Sequence, residues 1–209
     1  MKHKDYEALS KAHFDGQAAE YDIRDTMYYS KYPKISCKDV AARLKNTAYD
    51  SLLDIGCGTG YLIEMLAKRT AAQYYGLDLS PKMLEAASAR LHGSAQLTEG
   101  SAQRLPYADS QFDVVTCVQS FHHYPDPDKA LAEAWRVLKP NGLYILSDSG
   151  CTGFLKWIDN HFFMKLMKSG DFAVYSLDDA AKMLQHAGFK VQSEVWIAKT
   201  VFTIIAQKP

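Results

Sequence analysis

Apolar positions along this chain follow two periods. Short, nearly unbroken apolar runs occupy residues 51–55, 73–77, 95–98, 112–118 and 143–146. Such runs fit strands covered on both faces, the pattern of a parallel sheet. Helical spacing fills the intervals. Residues 4–20 predict one helix, and 33–45 a second with Ile35, Val40, Ala41 and Leu44 on one face. Residues 61–69 predict a third, with Leu62, Met65 and Leu66 inward. Ser80-Pro81 opens a fourth, because serine caps orphan amides and proline fits the first turn. Met83, Leu84, Ala87 and Leu91 form its apolar face, and Gly93 stops it. Asp126-Pro127 opens a fifth, with Leu131, Ala134, Trp135 and Leu138 at helical spacing, before a turn at Pro140-Asn141-Gly142. Residues 154–168 predict an aromatic-rich helical insertion. Ser176 with Asp179 spells a capping box for a helix ending near Ala187. Two last strands, 191–196 and 201–206, lie too close for a crossover, so they are antiparallel. The sum is an α/β fold: a seven-stranded, mostly parallel sheet with one antiparallel strand and helices on both faces.

The chemistry concentrates where the first strand ends. Leu-Leu-Asp54-Ile-Gly56-Cys57-Gly58-Thr59-Gly60 leads into a helix, and the second strand ends in Asp78. A strand, a glycine-rich turn, a helix and an acid after the next strand make a nucleotide-binding βαβ unit. Asp54 narrows the reading, since a carboxylate beside the turn repels a pyrophosphate. Tyr61 also stands where a dinucleotide fingerprint has its third glycine, which disfavours a nicotinamide oxidoreductase. The turn is built for a cation, such as the ammonium and sulfonium of S-adenosylmethionine (SAM). Asp78 is placed to accept both ribose hydroxyls.

Composition sets limits. The chain has 209 residues, with 24 basic and 24 acidic side chains and a formal net charge of zero. No basic run points to a nucleic-acid partner. Cysteines stand at 37, 57, 117 and 151 without a CxxC pair, which fits reduced thiols. The first residues, Met-Lys-His-Lys-Asp, lack an apolar signal core, and no apolar run approaches the ~20 residues of a membrane span. A soluble cytoplasmic protein, monomer or homodimer, is the expectation.

Five blocks in order resemble the class I SAM-dependent methyltransferases, more narrowly the small-molecule branch with the ubiquinone/menaquinone-biosynthesis enzymes. They are Phe14 with Ala19-Glu-Tyr21-Asp22, the 52–60 turn, Gly76-Leu-Asp78-Leu79-Ser-Pro81, residues 100–115, and Arg136-Val-Leu-Lys-Pro-Asn-Gly142. The resemblance covers roughly residues 14–150 and thins to the fold beyond. It implies a Rossmann-like domain over 1–209. Its parts are a helical cap at 1–48, a SAM-binding core at 49–150, a helical insertion over the site at 151–175, and a closing helix and hairpin at 176–209. It implies that Asp78 holds the ribose and that Leu79 and Met83 flank the adenine, although Met83 also fits plain core packing. Related sequences often carry an acid at the place of Ser101, bonding the adenine amino group. The departure here shifts that role to Ser101, Ala102 and Gln103. Val118 and Gln119 would line the methionine moiety. Tyr21 would cover the cofactor and bond its carboxylate, while its residue type alone fits a core anchor equally.

His122 and His123 follow the fourth strand, where donor and acceptor would meet, and suggest a general base. Adjacent residues rarely point the same way, so at most one faces the site, and both being structural is the alternative. No further ligand cluster appears at suitable spacing, so no metal is expected. Two aromatic segments are candidates for the acceptor pocket: Phe14, Tyr21, Tyr28, Tyr29 and Tyr32, and then Phe154, Trp157, Phe162, Phe163, Met164 and Met167. They suggest a small apolar or aromatic methyl acceptor, or else packing and a dimer contact. An RNA or protein methyltransferase and a non-catalytic SAM-binding protein remain the alternatives.

Overall fold

The computed structural model describes residues 5–23, 31–69, 71–153 and 170–209. Two helices, α1 (Tyr6–Gln17) and α2 (Tyr32–Arg43), precede the sheet. Then come β1 (Ser51–Ile55), α3 (Tyr61–Ala67), β2 (Gln73–Asp78), α4 (Pro81–Leu91), β3 (Ala95–Glu99) and β4 (Phe112–Val118). The chain continues through α5 (Pro127–Val137), β5 (Leu138–Ser149), α6 (Leu177–His186), β6 (Lys190–Ala198) and β7 (Val201–Gln207). The helical insertion expected at 154–168, with its aromatics, and Tyr28 and Tyr29 lie outside the described residues.

The strands form one seven-stranded sheet in the order β3-β2-β1-β4-β5-β7-β6. The first five pair in parallel. β7 runs against both β5 and β6, so it is the single antiparallel strand the hairpin required. The strand order reverses between β1 and β4, which opens a crevice at their carboxyl ends.

Alternation along the strands divides the core in two. On one face Leu53, Val115, Tyr144 and Leu146 pack with Leu131 and Ala134 of α5 and Ala180 and Leu184 of α6. On the other, Leu52, Val114 and Ile145 pack with Val40 and Ala41 of α2, Leu62 and Leu66 of α3, and Ala87 and Leu91 of α4. Helix starts follow the expected chemistry. Ser80 accepts from the amide of Met83, Asp126 from that of Lys129, and Ser176 and Asp179 close the full capping box.

Three local expectations change. Trp135 is 37% exposed, not part of the buried face of α5; its ring instead carries the Lys208 ammonium 3.8 Å from its centroid. Helix α4 ends at Leu91, two residues before Gly93, and its cap His92 is itself left-handed at φ 48°. Residues 139–142 are a bulge inside β5, not a separating turn. Leu138 faces Phe112 and Leu143 faces Val114, while the amide of Lys208 donates to Gly142 O and that of Asn141 to Lys208 O, keeping the segment in the sheet.

Candidate active site

The crevice at the β1/β4 switch is a cavity with the glycine turn as its floor. The amides of Gly56 and Cys57 both donate to Leu77 O, at 2.7 and 3.0 Å, which ties the turn to the end of β2. Gly56 has φ +72°, and a Cβ there would stand 2.0 Å from Ser120 Oγ, so only glycine lets β1 and the β4 loop meet this closely. A Cβ on Gly58 would meet nothing within 4 Å; that open space is what an approaching ligand needs. Gly60 does not line the cavity. It starts α3 in the left-handed region and packs against Leu91.

Two carboxylates mark the floor. Asp54 is 2% exposed, and its Oδ1 accepts from Thr116 Oγ1 at 2.7 Å. Burial pushes its acid up to about 7, against the Thr116 bond and with the charge of Asp78 adding. A buried acid so poorly solvated gains by meeting a cation. Asp78 accepts from Gly58 N at 2.8 Å and Ser80 N at 2.9 Å. Burial raises its acid too, and those backbone donors oppose the shift. A carboxylate has about four acceptor positions, so lone pairs remain for a diol. The donor set fits SAM: a buried acid for a cation, a second acid one strand over for a ribose, and open backbone between them.

The N-terminal block forms the roof. Arg90 of α4 reaches Thr59 O and Oγ1 at 2.9 and 2.6 Å, Asp22 Oδ2 at 2.6 Å and Glu64 at 3.3 Å. Thr59 Oγ1 also donates to Asp22 Oδ1 at 3.2 Å. This network clamps the segment after α1 onto the glycine turn. Tyr21 beside it lines the cavity and meets Phe14 edge to face at 6.1 Å. Glu7, Ser10, Lys11 and Phe14 also line the cavity. Their spacing is one helical face, so α1 is docked by polar contacts that an apolar pattern does not reveal.

The histidine pair divides. His123 lines the cavity, with Phe14 edge to face at 5.0 Å, and its Nδ1 is buried with no hydrogen-bond partner among the described residues. His122 turns away. Its Nδ1 meets Asp148 Oδ1 at 2.6 Å and its amide donates to Asp148 Oδ2 at 3.0 Å. Burial disfavours its charged ring, but Asp148 and Asp171 outweigh that and push it up to about 9. His123 goes the other way, lowered by burial and by the neighbouring His122 charge. At neutral pH His122 is charged and His123 neutral. Asp171 lies 3.6 Å from His122 Nε2 and 3.3 Å from His123 Nδ1, and the donor atoms of the three residues lie within 4.8 Å of one another. The fold thus brings beside the pair an acid whose distance along the chain hid it.

Of the other sequence candidates, Cys57, Thr59, Leu79, Met83, Ser101, Ala102, Val118 and Gln119 line the cavity. Gln119 has φ +52°, and its side chain joins Ser36 at 3.0 Å and Ser149 at 2.6 Å. Gln103 does not line it and instead donates to Glu7 at 2.5 Å. The reading of the sequence missed Glu7, Asp22, Arg90, Asp148 and Asp171. For Asp148 a signal existed, since it sits near the carboxyl end of a parallel strand as Asp54 and Asp78 do.

Known proteins bear on this site. Residues 53–146 match the family model described as a methyltransferase domain. The match runs from β1 into β5, within the part of the chain whose sequence resembles the SAM-dependent methyltransferases. A demethylmenaquinone methyltransferase from Lactobacillus johnsonii is 42% identical over 107 residues, covering 48% of this chain and 44% of the relative. A 27-O-demethylrifamycin SV methyltransferase from Amycolatopsis mediterranei is 32% identical over 160 residues, 74% of this chain and 59% of the relative. The chain therefore spans about half the length of the curated relatives it matches. The fold agrees with one chain of a Haloferax volcanii complex between the Trm112 methyltransferase activator and a methyltransferase. The TM-score is 0.81, with 21% identity, over 96% of this chain and 97% of that one.

Proposed function

We propose that this chain transfers a methyl group from SAM to a small, apolar or aromatic acceptor. The observation that carries the reading is the pair of acids, buried Asp54 and half-buried Asp78, near the ends of adjacent strands around an open glycine turn. Asp54 holds the cationic end of the cofactor, Asp78 its ribose, and Leu79 and Met83 the faces of its base. Tyr21 closes over the methionine end from the clamped roof. The bound cofactor supplies the methyl on a sulfonium, which carries the intrinsic reactivity. The protein's part is to align the acceptor with the methyl–sulfur axis and to exclude water.

His123 is the group placed to meet the acceptor's proton, as a hydrogen-bond acceptor whose basicity is held down by burial and by the His122 charge. It is neutral, faces the cavity and stands beside Phe14. His122 acts behind it as a positioning residue, fixed by Asp148. Its charge is balanced by the carboxylates of Asp148 and Asp171. The relatives named for menaquinone and rifamycin chemistry support a small-molecule acceptor. The test is a screen of phenols, quinols and thiols with labelled SAM, with bulk RNA and unfolded protein as comparison acceptors. Label transfer to a small acceptor alone supports the reading. Transfer only to RNA or protein, or none to any acceptor despite SAM binding, rejects it.

A further inference from the structure

We propose that Glu7, reaching in from α1, is the residue that selects a 6-aminopurine in the cofactor. The inference rests on the SAM reading above and adds the base-recognising group to it.

Strands β1, β2 and β3 lie side by side, spaced by ~4.8 Å. A ligand with its cation at Asp54 on β1 and its ribose at Asp78 on β2 has only one direction left for its base, toward the end of β3. There the cavity is lined by Gly100, Ser101, Ala102 and, from across the roof, Glu7. The strand's own follow-on residue is Ser101, and its hydroxyl is already engaged. It donates to Glu7 Oε1 at 2.5 Å and accepts from Gln103 N at 3.1 Å. Gln103 Nε2 donates to the same Oε1 at 2.5 Å. Two donors therefore hold one oxygen of Glu7, and Oε2 remains an open acceptor among the described residues.

A fixed carboxylate oxygen at that place has a clear chemical preference. The 6-amino group of adenine donates hydrogen bonds, whereas the 6-carbonyl of hypoxanthine presents lone pairs that a carboxylate repels. Ser101 and Gln103 then act as positioning residues for Glu7. The acid at the end of β3 comes from a helix 94 residues earlier in the chain than Ser101, and the cofactor site is complete only with α1 docked. Lys11, bonded to Glu99 at 2.5 Å, and Asp15, accepting from Ser80 Oγ at 2.6 Å, hold that helix in place.

The test is calorimetry of the full chain with S-adenosylhomocysteine and S-inosylhomocysteine, which differ in the 6-substituent of the purine and the hydrogen that its carbonyl form places on N1. The wild type is expected to prefer the adenosyl compound by ~10-fold or more, the range of one hydrogen bond to a charged group. In Glu7→Gln the amide offers a donor to the carbonyl, so the preference is expected to fall by ~10-fold, mainly through better binding of the inosyl compound. Asp15→Ala, which loosens α1 from Ser80 at a residue outside the cavity lining, is expected to weaken both ligands equally and keep the preference. An undiminished preference in Glu7→Gln, or equal weakening of both ligands there, overturns the assignment while leaving the cofactor reading intact. Failure of the wild type to bind either compound overturns the cofactor reading itself.

Discussion

Replacing Asp54 with asparagine separates what the buried acid does for the fold from what it does for the ligand. Asparagine keeps the shape and can still accept from Thr116, but it carries no charge. The Asp54 acid stands at about 7, against an ordinary 3.8, chiefly because of burial. A raised carboxyl is protonated in the folded state more readily than in the unfolded one. Its unfavourable contribution therefore grows as pH rises from 3.8 and is complete above 7. At ~1.4 kcal/mol per unit the full effect is at most about 4 kcal/mol. Asp54→Asn should thus melt like the wild type at pH 4, and several degrees higher at pH 8, since 1 kcal/mol moves a chain of this size by roughly 2–4 °C. SAM binding should respond in the opposite sense. Losing a carboxylate–ammonium contact should weaken it by ~10-fold or more. In the wild type, affinity should rise as pH goes from 5 to 7, because the ligand selects the ionised acid; in the variant that dependence should vanish. Thermal unfolding across pH, with calorimetry on the same samples, reads both effects. Wild-type affinity in Asp54→Asn, or no gain in melting temperature at pH 8, would refute the argument.

Asp78→Ala should lower SAM affinity at least ~10-fold by removing the ribose contacts, while circular dichroism shows the fold kept. His123→Ala should lower turnover ~100-fold or more if the ring is the base, with SAM affinity changed far less; single-turnover assays in the variant decide it. His122→Asn should cost stability that is greatest below pH 6.5, because a histidine raised to about 9 stabilises the fold below its ordinary value and loses that contribution as pH rises through 9. Melting curves at pH 6.5 and 10 should therefore differ more for the wild type than for the variant. Arg136 donates to the carbonyls of Leu105 and Tyr107 at 3.0 and 2.8 Å, so Arg136→Ala should cost about 2–4 kcal/mol in denaturant unfolding with SAM binding by the folded protein intact.

The sheet was legible because each strand declares itself locally. An unbroken apolar run needs cover on both faces, and the short gap before β7 leaves only an antiparallel pairing. The positions of Asp54, Asp78 and the glycines were legible for the same reason, since they follow from strand ends and a turn. The roof was not. Helix α1 docks through Glu7, Ser10, Lys11 and Asp15, which to an apolar-period reading look like a solvated face. Arg90, in the last turn of α4, gathers Asp22, Glu64 and Thr59, partners that no local pattern ties to it. The histidines were singled out by position, but which one faces the cavity depends on Asp148 and Asp171, and pairing across the sheet end leaves no periodic trace. Trp135 was misplaced because helical spacing fixes a side chain's direction and not what lies opposite. The end of β7 brings Lys208 there instead of a core.

The most direct test of the central claim is calorimetric titration of the purified chain with S-adenosylhomocysteine and, separately, with NAD. The account predicts one saturable site for the adenosyl compound, weakened by Asp54→Asn and by Asp78→Ala, and no heat of binding for NAD. Binding of NAD at this site, or no binding of S-adenosylhomocysteine by the folded wild type, would contradict it.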